Sequence, residues 1–368
     1  MQSATRRSSQ LEWVESLSPW PVDGFGLERM AALLDRLGNP QRAFASIHVV
    51  GTNGKSTTAR TIARLLAAEG LQAASYLSPH VSGWHERLDT DVDGVERALA
   101  RVRTDADAVG ATQFEAVTAA AFADFAARGI QVAAVEAGLG GRRDATNVVD
   151  APVVVLTNVS LDHTDVLGET RERIAAEKLG VVRPGAVVVT GEPEWADLAR
   201  AQGAARVDNP GPSALALAGA ASEAYLARPL ARIPQHAEPL PGRLERVGDR
   251  PVEIHDGAHN LAGVAWLLPR LPDRPFTLVA SMLADKDADS MLRALAQRAG
   301  TLVATQSSSP RAIPADELAD VARPHFERVE AVADPRAARR RGRELAGLDG
   351  AVLVAGSLYL LADLARDE

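Results

Sequence analysis

Runs of β-branched residues alternate with helical stretches rich in alanine, leucine and arginine, and this alternation constrains the fold more than any other feature. The runs predicted as strands are 46–50, 131–136, 152–158, 186–190, 252–255, 276–281, 302–305 and 351–355. The clearest helical stretches are 57–69, 115–128, 170–179 and 262–271. Strands that alternate with helices form βαβ units, so the sequence predicts an α/β protein with mostly parallel sheets.

The length of the chain and the position of its prolines and glycines predict two domains. The chain has 368 residues, and a single core rarely grows beyond about 250–300 residues. Proline and glycine are concentrated around 234–242, and such a stretch is typical of a domain boundary. We therefore predict a larger domain over residues 1–236 and a smaller α/β domain over residues 237–368.

Composition excludes several classes of function. The 40 basic and 48 acidic residues give a net charge of −8, which argues against non-specific nucleic-acid binding. No apolar run approaches the ~20 residues of a membrane helix, and the first residues lack the apolar core of a secretory signal. The absence of cysteine excludes a disulfide framework, a thiol nucleophile and a cysteine-ligated zinc ion. A cytoplasmic enzyme fits these features best.

The strongest local motif is G-T-N-G-K-S-T at residues 51–57, directly after a predicted strand and before a predicted helix. Backbone N–H groups in such a loop converge on an anion, and the helix dipole adds positive potential. Lys55 would reach the β- and γ-phosphates of a nucleotide, and Ser56 or Thr57 would place a hydroxyl near Mg²⁺. The motif predicts a binding site for a nucleoside triphosphate.

Polar side chains follow two further predicted strands at their carboxyl ends. Glu136 ends one strand, and His163 follows the next strand along the chain. We interpret these strands as neighbours that bring both side chains to one edge of the sheet, where ligands bind in open parallel sheets. Ser78 follows a shorter upstream strand and adds a hydroxyl. Serine, glutamate and histidine, in a chain without cysteine, suit a hard and partly hydrated Mg²⁺ ion, although histidine is an unusual ligand for Mg²⁺.

Lysine is so rare that each one is a candidate for function. The 40 basic residues are 37 arginines and three lysines, namely Lys55, Lys178 and Lys286. The two residue types are interchangeable on a solvated face, but not where a compact ammonium or a reactive amine is required. Lys286, in the segment 285–287, has a capped helix start as its alternative interpretation.

Lys178 has two interpretations that the residues alone leave open. It could be a surface lysine at a helix C-terminus, where the helix dipole favours it. It could instead point into the metal centre, where an ammonium ~5 Å from Mg²⁺ would be repelled by roughly 7 kcal/mol at an effective dielectric of ~20. Reaction of the amine with CO₂ would replace the positive charge by a negative one, and arginine cannot form that carbamate.

The C-terminal domain contributes a second candidate loop. A predicted strand at 252–255 leads into Asp256 and a polar segment that ends at Asn260. Asp256 could hold ribose hydroxyls, and Arg243 could pair with phosphate or stack on a base. The arginine-rich run 336–343 is interpreted as the solvated face of a helix and not as a nucleic-acid patch.

In this order, the motifs resemble those of the folylpolyglutamate synthase/dihydrofolate synthase family, the folate branch of the Mur ligase superfamily. The motifs that carry the resemblance are 26–30, 37–40, 51–55, 78–80, 112–115, 136–147, 158–165, Lys178, 241–243, 256–260, 285–287 and 356–359. The resemblance implies an N-terminal P-loop ATPase domain of the Mur ligase type and a smaller, Rossmann-like α/β domain.

The resemblance also implies a set of site residues. Those matching ATP-binding positions are Asn53, Gly54, Lys55, Ser56, Arg243 and Asp256. Those matching metal positions are Thr57, Ser78, Glu136, His163 and a carbamylated Lys178, with Lys55, His163 and Lys178 assisting catalysis. Those matching the pteroate-binding segments are Thr112, Gln113, Phe114, Glu115, Arg143, Asp144 and Ala145. The Asp144 segment is similar to that of bifunctional members, which also accept dihydropteroate.

The implied reaction is ATP-dependent amide formation. A pteroate or folate carboxylate attacks the γ-phosphate to give an acyl phosphate, and the amine of L-glutamate then displaces phosphate. The expected ligands are ATP, L-glutamate, the pteroate or folate acceptor and two Mg²⁺ ions, with CO₂ for the carbamate. A monomer that binds neither nucleic acid nor a membrane is expected.

Two departures from the family pattern keep alternatives open. The loop reads G-T-N-G-K-S-T where the folate branch usually has G-T-N-G-K-G-S, so Ser56 stands in place of a glycine. Pro212 and Ser213 occupy the place of an asparagine expected at the ATP site. One alternative is a Mur-type ligase with a non-folate acceptor. Another is a P-loop ATP-binding protein without ligase activity.

Overall fold

A computed structural model describes residues 9–21 and 24–366, which form two compact units. The first unit comprises the chain up to Pro79 and Trp84–Glu238, and the second comprises His80–Gly83 and Pro239–Glu368. Each unit is built around one six-stranded sheet. Within the described ranges, no helix is long and apolar enough to cross a membrane.

The sheet of the first unit is entirely parallel. Its strands are β1 (Ala45–Val50), β2 (Ala73–Tyr76), β3 (Val132–Glu136), β4 (Val153–Leu156), β5 (Val187–Thr190) and β6 (Arg206–Asp208). Their order across the sheet is β2-β3-β1-β4-β5-β6. Strands β3, β4 and β5 are mostly apolar and β1 is buried along nearly its whole length, as is typical of strands in a parallel sheet whose faces are both covered.

Ten α-helices belong to the described part of the first unit. They are α1 (Ser9–Ser16), α2 (Glu28–Arg36), α3 (Lys55–Ala68), α4 (Trp84–Leu88), α5 (Val92–Val109), α6 (Gln113–Ala127), α7 (Thr164–Leu167), α8 (Arg171–Lys178), α9 (Ala196–Ala201) and α10 (Ala214–Leu226). One core is formed around the rings of Phe44, Tyr76, Phe122 and Phe125, which lie in contact with one another. Aromatic pairs of this kind add to the stabilisation that burial alone provides.

The sheet of the second unit is parallel except at one edge. Its strands are β7 (Glu245–Asp249), β8 (Val252–His255), β9 (Phe276–Ala280), β10 (Ala299–Ala304), β11 (Arg328–Ala331) and β12 (Ala351–Ala355). Their order is β11-β10-β9-β12-β8-β7, and β7 pairs antiparallel with β8. The helices are α11 (Leu261–Leu267), α12 (Ala288–Leu295), α13 (Ala315–Ala322), α14 (Pro335–Ala346) and α15 (Leu358–Ala365). The predicted α/β class is thus confirmed for both units.

The strand order of the first unit corrects one expectation. The sequence analysis treated the strands that lead to Glu136 and His163 as neighbours. Strand β1 lies between β3 and β4 and pairs with both. The carboxyl ends of parallel strands share one edge, so the loop after β1 lies between the two strand ends that carry the candidate residues.

A buried ionic cluster joins β8 to α14 and corrects the interpretation of the run 336–343. Glu253 is fully buried and accepts hydrogen bonds from Arg339 Nε (2.6 Å), Arg343 Nη1 (2.6 Å) and His255 Nε2 (2.8 Å). Burial alone would raise the pKa of Glu253, but the bonds from His255 and Arg339 lower it to about 2. Arg339 and Arg343 therefore face the sheet and are only partly exposed, so this part of the run is not a fully solvated face.

We expect Glu253→Ala to lower the free energy of unfolding by about 3–5 kcal/mol, because Arg339 and Arg343 would lose their buried counter-ion. The folded pKa of about 2 lies below the ordinary value of 4.5. The stabilisation is therefore complete above the unfolded pKa and is lost as the pH falls through the folded pKa. Urea unfolding at pH 7 and at pH 3 measures both effects.

The matched control is Glu344→Ala, which removes an exposed partner of Arg341 in the same helix. An exposed pair contributes about 0–1 kcal/mol. Equal losses for Glu253→Ala and Glu344→Ala, or a Glu253→Ala loss that does not shrink at pH 3, would contradict the interpretation of the cluster.

Candidate functional site

The loop between β1 and α3 has a backbone that only glycine fits at two positions. Gly51 has φ +147°, and a Cβ there would lie 1.8 Å from Thr157 Oγ1. Gly54 has φ +80° and precedes the first residue of α3. The first N–H groups of a helix have no partner within it. The start of α3 therefore has the geometry that suits an anion, while anion binding itself stays a prediction.

The carboxyl end of β4 holds this loop in place. Asn53 N donates to Asn158 Oδ1 (3.0 Å), while Asn158 Nδ2 (3.1 Å) and Thr157 Oγ1 (2.7 Å) both donate to the Asn53 carbonyl. Ser160 N donates to Thr52 Oγ1 (3.0 Å). The sequence analysis did not find this support, although a Thr-Asn pair directly after a strand was a visible signal.

Glu136 bonds directly to two other predicted residues, Ser56 and Ser78. Its carboxylate is buried and accepts from Ser56 Oγ (3.0 Å) and from the Ser78 backbone N–H (2.9 Å). The hydroxyl that reaches Glu136 is thus that of Ser56, the residue that departs from the family pattern, and Thr57 is the next residue along α3. Lys55 Nζ donates to the Thr52 carbonyl (3.2 Å) within the same loop.

Glu136 and Ser56 fit a hard cation that takes most of its ligands from phosphate and water. The donors that meet here are a carboxylate and a hydroxyl, which are oxygen ligands of the type that Mg²⁺ prefers. In the described part of the chain, no group of three or more acidic or histidine side chains is arranged to hold a metal. A cation here would therefore depend on phosphate and water for further ligands, as Mg²⁺ does in nucleotide sites.

His163 lies in the segment that follows β4. It adopts the left-handed conformation, with φ +50°, and precedes α7. Asp162 Oδ1 accepts from the His163 backbone N–H (2.9 Å) and lies 3.8 Å from the imidazole Nε2. About a third of the imidazole is exposed. The segment is fixed to the loop after β1 through the Ser160–Thr52 bond.

Lys178 points inward, so the surface interpretation of this residue is wrong. It is buried at the last position of α8, and its Nζ donates to the Gly51 carbonyl (2.8 Å). Burial, and then the positive charge of Lys55, lower the pKa of Lys178 to about 7. The carboxylates of Asp162, Asp144 and Glu177 act in the opposite direction.

Gly141 allows the end of α8 to come this close. A Cβ at Gly141 would lie 2.5 Å from the Lys178 carbonyl oxygen and 2.9 Å from that of Glu177. Arg142 N donates to the Glu177 carbonyl (2.9 Å) beside this contact. A glycine after a strand is a weak signal, so the sequence alone did not show that Gly141 positions Lys178.

The predicted acceptor segment 112–115 has a local structural role. Thr112 caps α6, since Thr112 Oγ1 accepts from Glu115 N (3.3 Å) while Glu115 Oε2 accepts from Thr112 N (2.8 Å). Arg29 Nε also donates to Glu115 (2.7 Å), and Gln113 Nε2 donates to the Val14 carbonyl (3.0 Å). The reciprocal Thr112–Glu115 bonds form a capping box, which stabilises the helix start.

Phe114 differs from its neighbours because its ring faces the strand end that carries Glu136. A Cβ at Gly138 would lie 2.6 Å from the Phe114 ring, so the ring packs directly on that backbone. The side chain is only partly buried. The partly exposed ring therefore lies against Gly138, which is two residues after Glu136 in the chain.

Asp144 organises the loop after β3. It is buried, and its carboxylate accepts from Leu139 N (2.7 Å), Thr146 N (3.0 Å) and the Thr146 hydroxyl. Burial raises the pKa of Asp144, although these hydrogen bonds act in the opposite direction. His48 Nε2 lies 2.9 Å from Thr146 Oγ1, and burial lowers the pKa of His48 to about 3.

The two residues that flank Asp144 differ in exposure. Ala145 is buried, whereas Arg143 is exposed and its backbone N–H donates to Glu177 Oε1 (3.3 Å). Of the predicted acceptor residues 143–145, Arg143 thus has the side chain most open to a ligand.

In the second unit, Asp256 holds the loop between β8 and α11. Its carboxylate accepts from Leu244 N (2.7 Å) and Ala258 N (2.8 Å). Burial raises the pKa of Asp256, while these bonds and the charge of Arg243 lower it. A Cβ at Gly257 would lie 2.7 Å from Arg243 Nη1, so the guanidinium packs on this backbone.

Lys286 pairs with Asp285 in the same unit, and only the lysine side chain of this ion pair is buried. Its side chain is 5% exposed and lies 3.2 Å from Asp285 Oδ2. Burial alone would raise the pKa of Asp285, but the charges of Lys286 and Arg311 lower it. Asp287 caps α12 by accepting from Ser290 N (3.1 Å), as the capped-helix interpretation predicted.

Two protein-family models match the chain. The Mur ligase middle domain matches residues 49–205, and the Mur ligase glutamate ligase domain matches residues 242–358. The first match contains the loop after β1, Glu136, His163 and Lys178. The second begins at Gly242 and contains Arg243 and Asp256.

Relatives and solved structures agree with these matches. The dihydrofolate synthase/folylpolyglutamate synthase of Mycobacterium tuberculosis is 33% identical over 83% of this chain and 80% of its own length. The Escherichia coli enzyme of the same name is 32% identical over 86% of each chain.

The structure of E. coli FolC in complex with DHPP and ADP superposes with a TM-score of 0.85 at 29% identity, over 97% of each chain. A bifunctional folylpolyglutamate synthase/dihydrofolate synthase with Mn, AMPPNP and L-glutamate bound gives 0.82 at 30% identity, over 96% of each chain. The chain belongs to the folylpolyglutamate synthase/dihydrofolate synthase family of the Mur ligases.

Proposed function

We propose that this protein is an ATP-dependent ligase that joins L-glutamate to the carboxylate of a pteroate or folate through an acyl phosphate. The observation that carries the proposal is the meeting of Ser56, Glu136 and Lys178 around the loop after β1. Family membership supports the reaction type. Related structures contain ADP, AMPPNP, Mn, L-glutamate and DHPP, which supports the classes of ligand.

The residues of the loop would bind and orient the triphosphate. Backbone N–H groups at the start of α3 face the phosphates, and Lys55 exchanges its bond to the Thr52 carbonyl for the β- and γ-phosphates. Glu136, Ser56 and His163 would hold Mg²⁺, which neutralises charge on the phosphates when it is bound. The acceptor carboxylate then attacks the γ-phosphate in line, and ADP leaves.

The second step forms the amide bond. The amine of L-glutamate attacks the acyl carbon, loses a proton, and phosphate leaves from the tetrahedral intermediate. A carboxylate is a poor electrophile, so this step needs the phosphate as a leaving group. The contribution of the protein is mainly positioning and charge neutralisation.

The acceptor-binding proposal rests most strongly on Phe114 and Arg143. The ring of Phe114 is an aromatic surface near Glu136 that suits a flat pteroate ring. Arg143 is exposed beside Glu177 and offers a cation for an acidic acceptor. We assign Thr112, Glu115 and Asp144 to the construction of these segments, since their carboxylates and hydroxyls are bonded to nearby backbone.

The roles of the two domains and of the ATP contacts in the second domain are also proposals. Residues 1–236 would bind ATP and pteroate, and residues 237–368 would form the glutamate-ligase domain. Arg243 and Asp256 would contact ATP. A monomeric state, a cytoplasmic location and the use of two Mg²⁺ ions stay predictions.

Lys178 is proposed to act as a carbamate. A neutral amine attacks the carbon of CO₂ and loses one proton, which leaves an N-carboxylate with one negative charge. The pKa of about 7 makes a neutral amine available at neutral pH, and the side chain already lies against the loop. The change in charge turns repulsion of a nearby Mg²⁺ into attraction.

The direct test of function is ADP release with each candidate acceptor. We expect turnover that requires both L-glutamate and either dihydropteroate or tetrahydrofolate, and none with a muramyl-peptide precursor. Coupled detection of ADP measures the rate. Turnover with the muramyl substrate alone would favour a Mur-type ligase with another acceptor. Nucleotide binding without glutamate-dependent ADP release would favour a binding protein.

The test of the carbamate uses Lys178→Arg. Arginine keeps the positive charge but cannot form a carbamate, so we expect ADP release to fall by about 10²-fold or more. Enzyme depleted of CO₂ should lose activity, and bicarbonate should restore it in the wild type only. With ¹³C-bicarbonate, the wild type should show a carbamate carbon signal in NMR that the variant lacks.

The matched control for this test is the Lys286→Arg variant. Its readout is the same carbamate NMR signal, and its activity is not used. Lys286 is paired with Asp285 and should contribute nothing to the carbamate resonance. Wild-type turnover in Lys178→Arg would exclude the carbamate at Lys178. A carbamate NMR signal in that variant as strong as in the wild type would exclude it as well.

A further inference from the structure

A buried cluster of Arg60, Ser75 and Asp89, here called the Asp89 cluster, lies outside the residues already assigned. Asp89 follows α4 and has φ +49°. Asp89 Oδ2 accepts from Ser75 N (3.1 Å) and Ser75 Oγ (3.2 Å), and Asp89 Oδ1 accepts from Arg60 Nη1. The cluster therefore connects three elements, which are α3, β2 and the end of α4.

The Asp89 cluster closes a segment of chain that carries Ser78. The backbone N–H of Leu77 donates to the Arg87 carbonyl (3.1 Å), so residues 77 and 87 meet at a neck. Ser75 and Asp89 lie two residues outside this neck on either side. Ser78 is the first residue inside the segment that the neck closes, and its backbone N–H donates to Glu136 (2.9 Å). The bond between Ser78 and Glu136 thus depends on where the neck is held.

Arg60 reaches this neck from the nucleotide-binding side. It lies in α3, five residues after Lys55, and its Nη2 donates to the Glu86 carbonyl (2.9 Å). Asp89 is held further by Arg128 Nη1, which donates to its carbonyl oxygen (3.2 Å). Arg60 therefore fixes the neck to α3, the helix that starts at the phosphate loop.

The energetics argue against a purely stabilising role. Arg60 is 6% exposed, and its buried Nε has no acceptor among the described residues. A buried donor without a partner costs about 1–3 kcal/mol. A buried ion pair can often be replaced by apolar residues without loss of stability. The charged pair is therefore a costly way to hold three elements together, unless their relative position matters.

We infer that Asp89 and Arg60 are positioning residues that set the Ser78 amide against Glu136 and so orient the carboxylate for a divalent cation. The inference rests on the proposed function, because that function makes Glu136 a metal ligand. Groups that orient a ligand typically contribute 10–100-fold to metal affinity. Loss of the Asp89 charge should therefore weaken cation binding, although Asp89 itself would not contact the cation.

The test combines cation binding with a measurement on the metal-free protein. Asp89→Asn keeps the shape and tolerates the left-handed backbone, but it loses the charge that holds Arg60. We expect Mn²⁺ affinity in the presence of AMPPNP, measured by electron paramagnetic resonance, to fall 10–100-fold. In the metal-free protein, amide hydrogen exchange over residues 77–87 should become faster.

The matched control is Arg64→Ala. Arg64 Nη2 donates to the same carboxylate oxygen of Asp89 (3.1 Å), but its side chain is 45% exposed. We expect less than a twofold change in Mn²⁺ affinity and unchanged exchange over residues 77–87. Arg60→Lys keeps the charge with fewer donors, so it should give an intermediate effect and serves if Asp89→Asn does not fold.

The outcomes separate this inference from the proposed function. If wild-type protein with AMPPNP does not bind Mn²⁺, the proposed metal site fails, and hydrogen exchange in the metal-free variants still tests the positioning role. Wild-type Mn²⁺ affinity in folded Asp89→Asn or Arg60→Lys would overturn the inference. Exchange over residues 77–87 that matches the wild type would overturn it as well.

Discussion

The hydrogen bond from Lys178 Nζ to the Gly51 carbonyl is the contact on which the arrangement of the site depends (2.8 Å). It requires a glycine at position 51, where a side chain would collide with Thr157, and a glycine at position 141, where one would collide with the end of α8. The bond brings a buried amine to the phosphate loop. Because this loop follows the central strand β1, residues from both neighbouring strand ends lie beside it.

The sequence predicted the buried strands well because their apolar runs are a local property. It missed β6, β7 and β11, which lie at or near sheet edges, are partly exposed, and lack continuous apolar runs. Strand order could not be read locally, so β1 was not expected between β3 and β4. Glu136 and Lys178 were found from residue type and position. The capping role of Glu115 and the loop-holding role of Asp144 depend on contacts with backbone, which residue type does not reveal.

The rarity of lysine proved informative for a physical reason. Arginine supplies the cation in most ion pairs of the described residues, as in the bonds of Arg339 and Arg343 to Glu253. The three lysines are all buried or half-buried, and each donates to a defined oxygen, on Thr52, Gly51 or Asp285. An ammonium is a compact donor that fits one carbonyl or carboxylate oxygen, whereas a guanidinium needs a wider planar set of acceptors.

The charges around the loop would couple the proposed carbamate to the proposed divalent cation. Burial, and then the charge of Lys55, lower the pKa of Lys178, which favours the neutral amine that the proposed reaction with CO₂ requires. A bound triphosphate would place several negative charges nearby, and these favour the ammonium over a negative carbamate. A cation held by Glu136, as proposed, would reverse that preference, because it would attract both the carbamate and the phosphates. On this proposal, the negative form of Lys178 would tolerate a bound triphosphate only with a cation nearby.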